Sequence, residues 1–308
     1  MGRMQSLLTY LVHRYDAFSA VPERGNPAGV VLEAEGLSAV TMQSIAAEVG
    51  FNETVFVLPS DRASLRLRFF TPGHEIPLCG HATMASLYAL KTSGSTLTEG
   101  DSVTIETMAG DLPVRFREAA DGTTRIVMRQ ARPEFIDYAG NRVALAESLG
   151  LAAEDLREDW PIVYGSTGTW TLLVPIASLE AFARMKPNNK LFPELLKENP
   201  RASLHPFCAG ALNADADLHA RHFSSPYSGT VEDPVTGTAS GAMGAYLLSY
   251  IRKDDLSAGF VVEQGQELGL DGRVGVWVSR AAPDGPIEVE IEGTAAYVGP
   301  MTVRVGEE

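Results

Sequence analysis

Cysteine is scarce in this chain of 308 residues, which contains only Cys79 and Cys208. Two cysteines cannot build the disulfide framework of a small secreted domain, and a reducing cytoplasm is the simplest location. Long apolar runs are also missing, since no stretch approaches the roughly 20 residues that span a bilayer. Residues 1–11 contain a short apolar run without a small-residue cleavage site, so we expect no secretory leader. The sequence predicts a soluble, cytoplasmic protein.

Basic residues are in the minority. Lysine and arginine number 25 against 39 aspartates and glutamates, which gives a net charge of −14. This charge argues against nucleic acid and anionic membranes as partners. The chain also lacks a Walker loop, a GxGxxG motif after a strand, a CxxC pair and a GxSxG elbow, so nucleotide-binding and serine-hydrolase functions have no support. An anionic substrate would have to be attracted by a local site.

The size and composition are those of an ordinary globular protein. Hydrophobic residues make up 45% and charged residues 21% of the chain. A length of 308 residues favours two domains of about 150 residues each.

The most informative stretch is residues 68–90. It reads as the end of a strand, a loop with proline and glycine, and then Gly-His-Ala-Thr at residues 80–83 opening an apolar helix. A helix that begins at glycine presents free backbone N–H groups and the positive end of its dipole. Such a helix start binds anions without any basic side chain.

An approximate second copy of this stretch occurs in the other half of the chain. Residues 221–226 (Arg-His-Phe-Ser-Ser-Pro) resemble residues 68–72 (Arg-Phe-Phe-Thr-Pro), and residues 237–240 (Gly-Thr-Ala-Ser) resemble residues 80–83. The offsets are 153 residues between Phe70 and Phe223 and 157 between Gly80 and Gly237, and half the chain is 154 residues. This spacing predicts a duplicated unit with the two helix starts at its centre. A pseudo-twofold arrangement would direct both helix starts into one cleft, where they could hold a carboxylate.

Periodicity and turn signals predict an α/β (α+β) protein of two halves. Each half is a curved, mostly antiparallel sheet with one long apolar helix, and residues 109–111 and 121–122 mark hairpins. Residues 25–29 are predicted as a turn, Ser38 as a helix cap, Val40 as part of that helix's apolar side, and Gly50 as its end. Predicted strands are residues 8–18, 30–32, 54–58, 64–70, 103–106, 112–117, 125–129, 169–175, 203–208, 217–223, 260–263, 274–278, 287–291 and 298–305. Predicted helices are residues 38–50, 80–90, 141–149, 178–185, 188–199 (shortened or kinked by Pro193) and 237–250.

Two carboxylates are candidates for chemistry. Glu53 lies between a helix end and an apolar strand, where desolvation would raise its pKa toward that of a useful acid/base. The alternative is a strand-edge glutamate that faces water. Asp233 lies four residues before the second helix start, and its alternative role is to initiate a turn with Pro234. The neighbouring Glu232 is expected to be solvated.

Histidine and cysteine offer further candidates. His81, at the first helix start, would be neutral, because a helix N-terminus disfavours imidazolium, and could donate to a substrate or shuttle a proton. A packed core histidine is the alternative.

A two-thiol racemase is disfavoured, since the second copy has no cysteine at the position matching Cys79. Both cysteines are interpreted as small buried hydrophobic residues. Three further histidines, His205, His219 and His222, could bind a metal. Metal binding is disfavoured, because His219 and His222 would face opposite sides of a strand.

Taken together, these residues resemble the PhzF-like family of phenazine-biosynthesis isomerases, which is related in fold to diaminopimelate epimerase. The specific pair is Cys-Gly-His-Ala-Thr at residues 79–83 with Glu-Asp-Pro-Val-Thr-Gly at residues 232–237. The matching segments occur in family order over nearly the whole chain: residues 16–18, 25–31, 42–48, 53–56, 68–72, 78–83, 232–239 and 263–265.

The resemblance implies two pseudo-symmetric halves, residues 1–130 with 297–308 and residues 131–296, each with a sheet wrapped around a central helix. It also implies an active site between the halves, no cofactor, and commonly a homodimer. Thr238 departs mildly from the more common serine, and residues 269–271 (Gly-Leu-Asp) stand where the family usually continues with Gly-Arg-Pro, which puts substrate contacts of that loop in doubt.

The resemblance also assigns roles by residue. Glu53 would be the general acid/base, with His81 and Asp233 supporting catalysis. The substrate-binding residues would be Asn26, Gly80, His81, Gly237 and Thr238.

Three functions follow. The first is an isomerase that moves a proton between carbons of a small carboxylate-bearing metabolite, with Glu53 as its single base; a dihydro-hydroxy-anthranilate is the best-known substrate in the family. The second is a cofactor-independent amino-acid epimerase or racemase, which needs a base on each face. The third is a non-catalytic metabolite-binding protein with the same fold.

Overall fold

The computed structural model of the chain describes residues 7–306. The expectation about a leader in residues 1–11 falls partly on residues 1–6, which lie outside that range, as do residues 307–308 of the predicted first half. Strands and helices follow in chain order: β1 (Leu7–Ala17), β2 (Asn26–Val31), α1 (Ala39–Val49), β3 (Thr54–Leu58), β4 (Leu65–Phe70), β5 (Glu75–Ile76), α2 (Gly80–Thr92), β6 (Ser102–Thr107), β7 (Gly110–Glu118), β8 (Thr124–Arg129), β9 (Glu134–Asp137), α3 (Arg142–Ser148), β10 (Val163–Ser166), β11 (Trp170–Pro175), α4 (Leu179–Arg184), α5 (Phe192–Leu195), β12 (Ser203–Ala209), β13 (Leu218–Ala220), α6 (Gly237–Tyr246), β14 (Ser257–Gln264), β15 (Gly272–Ser279), β16 (Glu288–Gly293) and β17 (Ala295–Gly306).

These elements form two compact units. Within the described range, one unit comprises residues 7–128 and 293–306, and the other comprises residues 129–292. The protein is therefore of the mixed α/β class that the sequence predicts. None of the helices within residues 7–306 combines the length and apolar character needed to cross a bilayer. The cytoplasmic location stays a prediction.

The first unit is a mainly antiparallel sheet system around α2. The last strand, β17, pairs antiparallel with β1 along its whole length, and β1 pairs antiparallel with β2. The pairs β2–β3 and β4–β6 are parallel, whereas β3–β4, β6–β7 and β7–β8 are antiparallel. Helix α2 contacts β1, β2, β3 and β17 and is buried on almost every side, which explains why its sequence is apolar and rich in small residues.

The second unit repeats this plan around α6. Strands β14, β15 and β16 pair antiparallel, β11 pairs parallel with β12, and α6 contacts β10, β11, β14 and β15. Gly244 of α6 has no room for a side chain, because a Cβ there would lie 2.5 Å from Cγ1 of Val276. Sheet and helix therefore approach each other closely at this position.

The local repeats predicted from the sequence have matching geometry in the two units. Arg68 makes a two-pronged ion pair with Glu75, with both N–O distances at 2.7 Å, and Arg221 makes the same kind of pair with Glu232 at 2.8 and 2.7 Å. Each arginine also stacks over the phenylalanine two residues later. The expectation that Glu232 is solvated is therefore wrong, because its side chain is only 11% exposed and paired. The partner of Glu232 is Arg221, eleven residues earlier in the chain. The residue type of Glu232 alone does not predict this ion pair.

Several element boundaries differ from the predictions. Residues 26–29 belong to β2, and only Gly25, with φ of 75°, keeps the predicted turn conformation. Pro27 pairs with β1 only, because pairing of β2 with β3 begins at Gly29. At this position β2 behaves as an edge strand, where proline is tolerated. Val40 is 64% exposed and does not belong to the apolar side of α1.

In the second unit, the predicted strand 217–223 is shorter, and the predicted helix 237–250 ends as an α-helix at Tyr246 and continues as a π-helical turn. The short strands β5, β9 and β10 were not predicted. The predicted helix 188–199 is shorter, as expected: only the four residues of α5 are α-helical, and Pro193 lies in the first turn, where proline is tolerated.

Candidate functional site

In the first unit, Glu53 is held at the junction between α1 and β3. Helix α1 ends at Gly50, which takes the left-handed conformation at φ of 72° and donates its N–H to the carbonyl of Ala46. Three residues later, the carbonyl of Glu53 accepts the N–H of Gly29 at 3.2 Å, which ties Glu53 to β2. The side chain is 19% exposed, so the carboxylate is neither fully solvated nor sealed from solvent.

Helix α2 brings His81 to this carboxylate. Nε2 of His81 lies 3.3 Å from Oε2 of Glu53, and Nδ1 lies 3.3 Å from Sγ of Cys79. The ring also forms a hydrogen bond with the carbonyl of Pro27, which places β2 at the same site. Asn26, beside Pro27, is fully buried at the start of β2. Two predicted residues, Glu53 and His81, therefore lie together, and the strand that carries Asn26 contacts the same histidine.

The histidine is held in its neutral form. Burial lowers the pKa of His81 to about 4, and the hydrogen bond with Pro27 opposes this effect only in part. The sequence predicted neutrality from the helix dipole, whereas the larger cause is desolvation. Because the ring is neutral at pH 7, the 3.3 Å contact between His81 and Glu53 is not a permanent ion pair. One proton can instead be shared or transferred between the imidazole and the carboxylate.

The pH dependence of stability checks this protonation state. Between pH 6.5 and 4 the unfolded chain protonates this histidine and the folded chain does not, so stability falls as pH falls through that window. A shift from 6.5 to about 4 corresponds to roughly 3 kcal/mol. We expect urea unfolding of His81→Gln to depend less steeply on pH than that of the wild type in this window. Equal slopes for the two proteins would contradict the assignment.

Both central helices begin without a side-chain cap. Cys79 and Thr236 occupy the N-cap positions in extended conformations, and neither makes a capping hydrogen bond with its side chain. One turn later the hydroxyl groups of Thr83 and Ser240 donate to the carbonyls of Cys79 and Thr236, each at 2.8 Å. The first N–H groups of each helix, including those of Gly80 and Gly237, thus have no side-chain cap and can bind an anionic group.

In the second unit, Asp233 and the start of α6 are held by Gln264. The hydroxyl of Thr236 donates to Oδ2 of Asp233 at 2.5 Å. Gln264, only 1% exposed, accepts the N–H of Thr236 at 3.1 Å and donates to the carbonyl of Asp233 at 2.8 Å. Thr238 lies just inside the helix, and its carbonyl accepts the hydroxyl of Thr167 at 2.9 Å. The structure therefore places Asp233, Gly237 and Thr238 in one short segment, fixed by a glutamine that sequence reasoning did not select.

Replacing this glutamine tests its positioning role. Gln264→Met keeps the size of this buried side chain but removes its hydrogen bonds with Thr236 and Asp233, which costs about 0.5–1.5 kcal/mol per bond. We expect substrate affinity to fall by about tenfold with a smaller change in kcat, because the loss of these hydrogen bonds shifts Asp233 and Thr238, two of the predicted site residues. A substrate titration with steady-state kinetics checks this expectation. A fall in kcat alone, with unchanged affinity, would contradict it.

The remaining predicted candidates lie in other environments. His219 contacts Glu263 and Glu267, whereas His222 contacts His205 at 3.3 Å. The predicted strand that would carry both histidines ends at Ala220, so the reason given for their separation is wrong, although the two make different contacts. Cys208 is buried, as expected. The unusual residues 269–271 close a turn, in which Leu270 donates its N–H to the carbonyl of Gly265 and Asp271 accepts from Gln266 and Arg273.

Comparison with known proteins places this arrangement among related chains. The family model of phenazine biosynthesis-like proteins (PhzC-PhzF) matches residues 15–300. An uncharacterized isomerase of Bacillus subtilis, YfhB, is 51% identical over 93% of this chain and 96% of its own length. The crystal structure of a PhzF-family phenazine biosynthesis protein from Bacillus anthracis superposes with a TM-score of 0.93, at 51% identity over 97% of this chain and 100% of that one. A predicted epimerase from Pseudomonas aeruginosa shares the fold, with a TM-score of 0.74 and 28% identity over 96% of this chain and 99% of that one.

Proposed function

The chain belongs to the phenazine biosynthesis-like (PhzC-PhzF) family, and from this premise we propose that it is a cofactor-independent isomerase of a small carboxylate-bearing metabolite. Relatives in this family carry isomerase names, which supports the reaction class. The observation that carries the finer proposal is the half-buried Glu53 carboxylate, 3.3 Å from a neutral histidine at the start of α2. A carboxylate so placed is suited to general acid/base catalysis.

In the proposed reaction, Glu53 takes a proton from one carbon of the substrate and returns it to another. The electron pair left by the departing proton enters the neighbouring unsaturated system, and the bond to hydrogen re-forms at a different carbon. Mass and charge balance within the substrate, so the step requires no external oxidant or reductant. His81 is placed to donate to developing negative charge or to relay the proton of Glu53.

Substrate binding is assigned to both central helix starts. The N–H groups near Gly80 and Gly237 would bind anionic groups, since fixed backbone donors stabilise negative charge without reorganisation. Asp233 and Thr238 would contact polar groups of a substrate, and Asn26 is also proposed as a substrate-binding residue. We also propose a homodimeric, cytoplasmic protein, as the family resemblance implies.

An epimerase or racemase is the second candidate, and the name of the Pseudomonas aeruginosa relative motivates it. A two-base epimerase requires a group on each face of the substrate carbon. Cys79 lies at α2, but the corresponding position at α6 is Thr236, a residue that cannot act as a thiol base. The third candidate is a family member that binds a metabolite without turnover.

Proton NMR of the wild-type protein with single compounds distinguishes these candidates. The panel contains the dihydro-hydroxy-anthranilate phenazine precursor and a set of amino and hydroxy acids, with no cofactor added. The proposed function predicts a product in which a double bond has moved. Inversion at a single carbon, observed with a chiral shift reagent for compounds that have one stereocentre, would favour the epimerase. Saturable binding without any product would favour the non-catalytic alternative.

A further inference from the structure

The imidazole ring of His81 has a different partner at each of its two nitrogens. Nδ1 lies 3.3 Å from Sγ of Cys79, and Nε2 lies 3.3 Å from Oε2 of Glu53. The thiol faces Nδ1, since Sγ is 4.0 Å from Nε2. The proposed function leaves two roles open for this histidine, a donor to negative charge and a relay for the proton of Glu53. The role depends on which ring nitrogen carries the hydrogen.

The neighbours of the ring differ in what they can donate. A neutral imidazole has one N–H group and one nitrogen that only accepts, and burial keeps His81 neutral at pH 7 by lowering its pKa to about 4. The carbonyl of Pro27 and the carboxylate of Glu53, in the base form that the proposed function requires, only accept hydrogen bonds. The thiol of Cys79 has a hydrogen to give.

A hydrogen on Nε2 satisfies the contacts at both nitrogens. The ring then donates to the Glu53 carboxylate in a charge-assisted hydrogen bond, and Nδ1 accepts the hydrogen of the Cys79 thiol. A hydrogen on Nδ1 would instead leave the lone pair of Nε2 facing a carboxylate oxygen at 3.3 Å, and the thiol would lose this acceptor. His81 is only 8% exposed, so water replaces such partners poorly and the mismatch is costly.

The backbone at the start of α2 places the thiol for this contact. Cys79 is the N-cap residue, extended at φ of −139° and ψ of 119°, and its side chain makes no capping hydrogen bond within the described residues 7–306. The usual N-cap residues accept a backbone N–H of the first turn through a side-chain oxygen. The thiol sulfur is a weak acceptor, so a cysteine leaves those N–H groups to an anion and directs its own hydrogen to the ring.

We propose that Cys79 is a positioning residue that donates its thiol hydrogen to Nδ1 of His81 and thereby holds the ring as the Nε2–H tautomer. His81 is then a hydrogen-bond donor to Glu53. It cannot accept the proton that Glu53 takes from carbon, because Nε2 already carries a hydrogen. The consequence for catalysis rests on the proposed function, whereas the hydrogen bond and the tautomer do not.

NMR of the full-length protein with ¹⁵N-labelled histidine tests the tautomer without a substrate. The ring signals of His81 are assigned by their absence in His81→Gln. At pH 7 we expect Nε2 at the shift of a protonated nitrogen and Nδ1 at that of an unprotonated nitrogen that accepts a hydrogen bond. In Cys79→Ala the Nδ1 signal should move downfield, toward the position of a free lone pair. Cys208→Ala is the matched control, because Cys208 is the other buried cysteine, and it should leave the signal in place.

A protonated Nδ1 in the wild type, or an unmoved Nδ1 signal in folded Cys79→Ala, would overturn the proposal. Infrared spectroscopy keeps the test decisive if Cys79→Ala does not fold. The S–H stretching band of Cys79 is the one that remains in Cys208→Ala, and it should lie below the frequency of a free thiol. His81→Leu removes the acceptor and should raise this frequency, and an unchanged band would overturn the hydrogen bond.

On a confirmed substrate, two replacements of His81 separate the roles of donor and relay. His81→Gln puts an amide N–H near the position of Nε2 but cannot relay a proton, whereas His81→Leu has no donor. We expect His81→Gln to keep more than a tenth of wild-type kcat and His81→Leu to lose about a hundredfold, as for one lost donor to negative charge. Equal losses of about a hundredfold in both would overturn the donor role. If no substrate turns over, the proposed function fails, while the two spectroscopic measurements still decide how Cys79 positions the ring.

Discussion

Glu53→Gln is expected to reduce kcat by about a thousandfold on a confirmed substrate, within the 10²–10⁴ range that general acid/base groups contribute. Glutamine has nearly the same shape as glutamate and can keep the contact with His81, but its amide cannot take a proton from carbon. The loss should therefore fall on kcat, with KM changing little. Steady-state kinetics of the purified variant measures both quantities.

Glu48→Gln is the matched control for this prediction. Glu48 lies five residues earlier, on the exposed side of α1, so its replacement should leave kcat unchanged. Glu53→Asp, which withdraws the carboxylate by one methylene, should retain part of the activity because the base is present but misplaced. A Glu53→Gln variant with more than a tenth of wild-type kcat would remove this glutamate from its proposed role.

Glu263→Gln is expected to destabilise the second unit by about 3–5 kcal/mol, the cost of breaking a buried ion pair by altering one partner. Glu263 is fully buried and accepts four hydrogen bonds. The donors are the backbone N–H groups of Leu212 (2.5 Å) and Asn213 (3.1 Å), the Asn213 amide (2.8 Å) and His219 Nδ1 (2.7 Å). A glutamine has only one acceptor oxygen, so donors that now point at Oε1 and Oε2 cannot all be satisfied.

His219 makes this loss larger, because both of its ring nitrogens point at carboxylates. Nε2 lies 2.9 Å from Glu267, opposite the contact with Glu263. Burial by itself would lower the pKa of His219, but the hydrogen bonds and charges of Glu267 and Glu263 outweigh it, and the pKa is raised. The stabilisation from this charged ring is therefore complete below pH 6.5 and is lost as pH rises through the raised pKa.

Guanidinium unfolding at pH 6 measures the destabilisation caused by Glu263→Gln. Glu154→Gln is the control, since Glu154 lies in the same unit and is exposed, and it should change the free energy of unfolding by less than about 0.5 kcal/mol. A loss below 1 kcal/mol in Glu263→Gln would show that the buried network does not stabilise the fold as described.

Local signals predicted the elements that carry the site. Ser38 accepts the N–H of Thr41 as the cap of α1, and Gly50 ends that helix in a conformation that glycine adopts without strain. Residues 80 and 237 begin the two central helices as predicted, since each follows an extended residue and opens a small, apolar segment. Signals of this kind need only neighbouring residues, so a single sequence contains them.

Contacts between distant residues could not be predicted in the same way. Glu232 is held by Arg221, and Glu263 meets His219 across 44 residues, although both carboxylates look like surface groups in the sequence. The contact of Cys79 with His81 was not predicted. Residues two apart within a helix do not face each other, but Cys79 lies just before α2 in an extended conformation, which brings its thiol to the ring of His81. The role of Gln264 depends on β14 ending beside the loop that carries Asp233, which is a property of topology.

The central claim is that Glu53 moves a proton to and from carbon, and deuterium exchange tests it most directly. Wild-type protein and Glu53→Gln are incubated in deuterated water with the phenazine precursor and with each amino and hydroxy acid of the panel, and deuterium at carbon is followed by NMR. The account predicts that deuterium appears at carbon in at least one compound with the wild type and not with Glu53→Gln. Incorporation at the wild-type rate in Glu53→Gln would contradict it and assign the chemistry to another group.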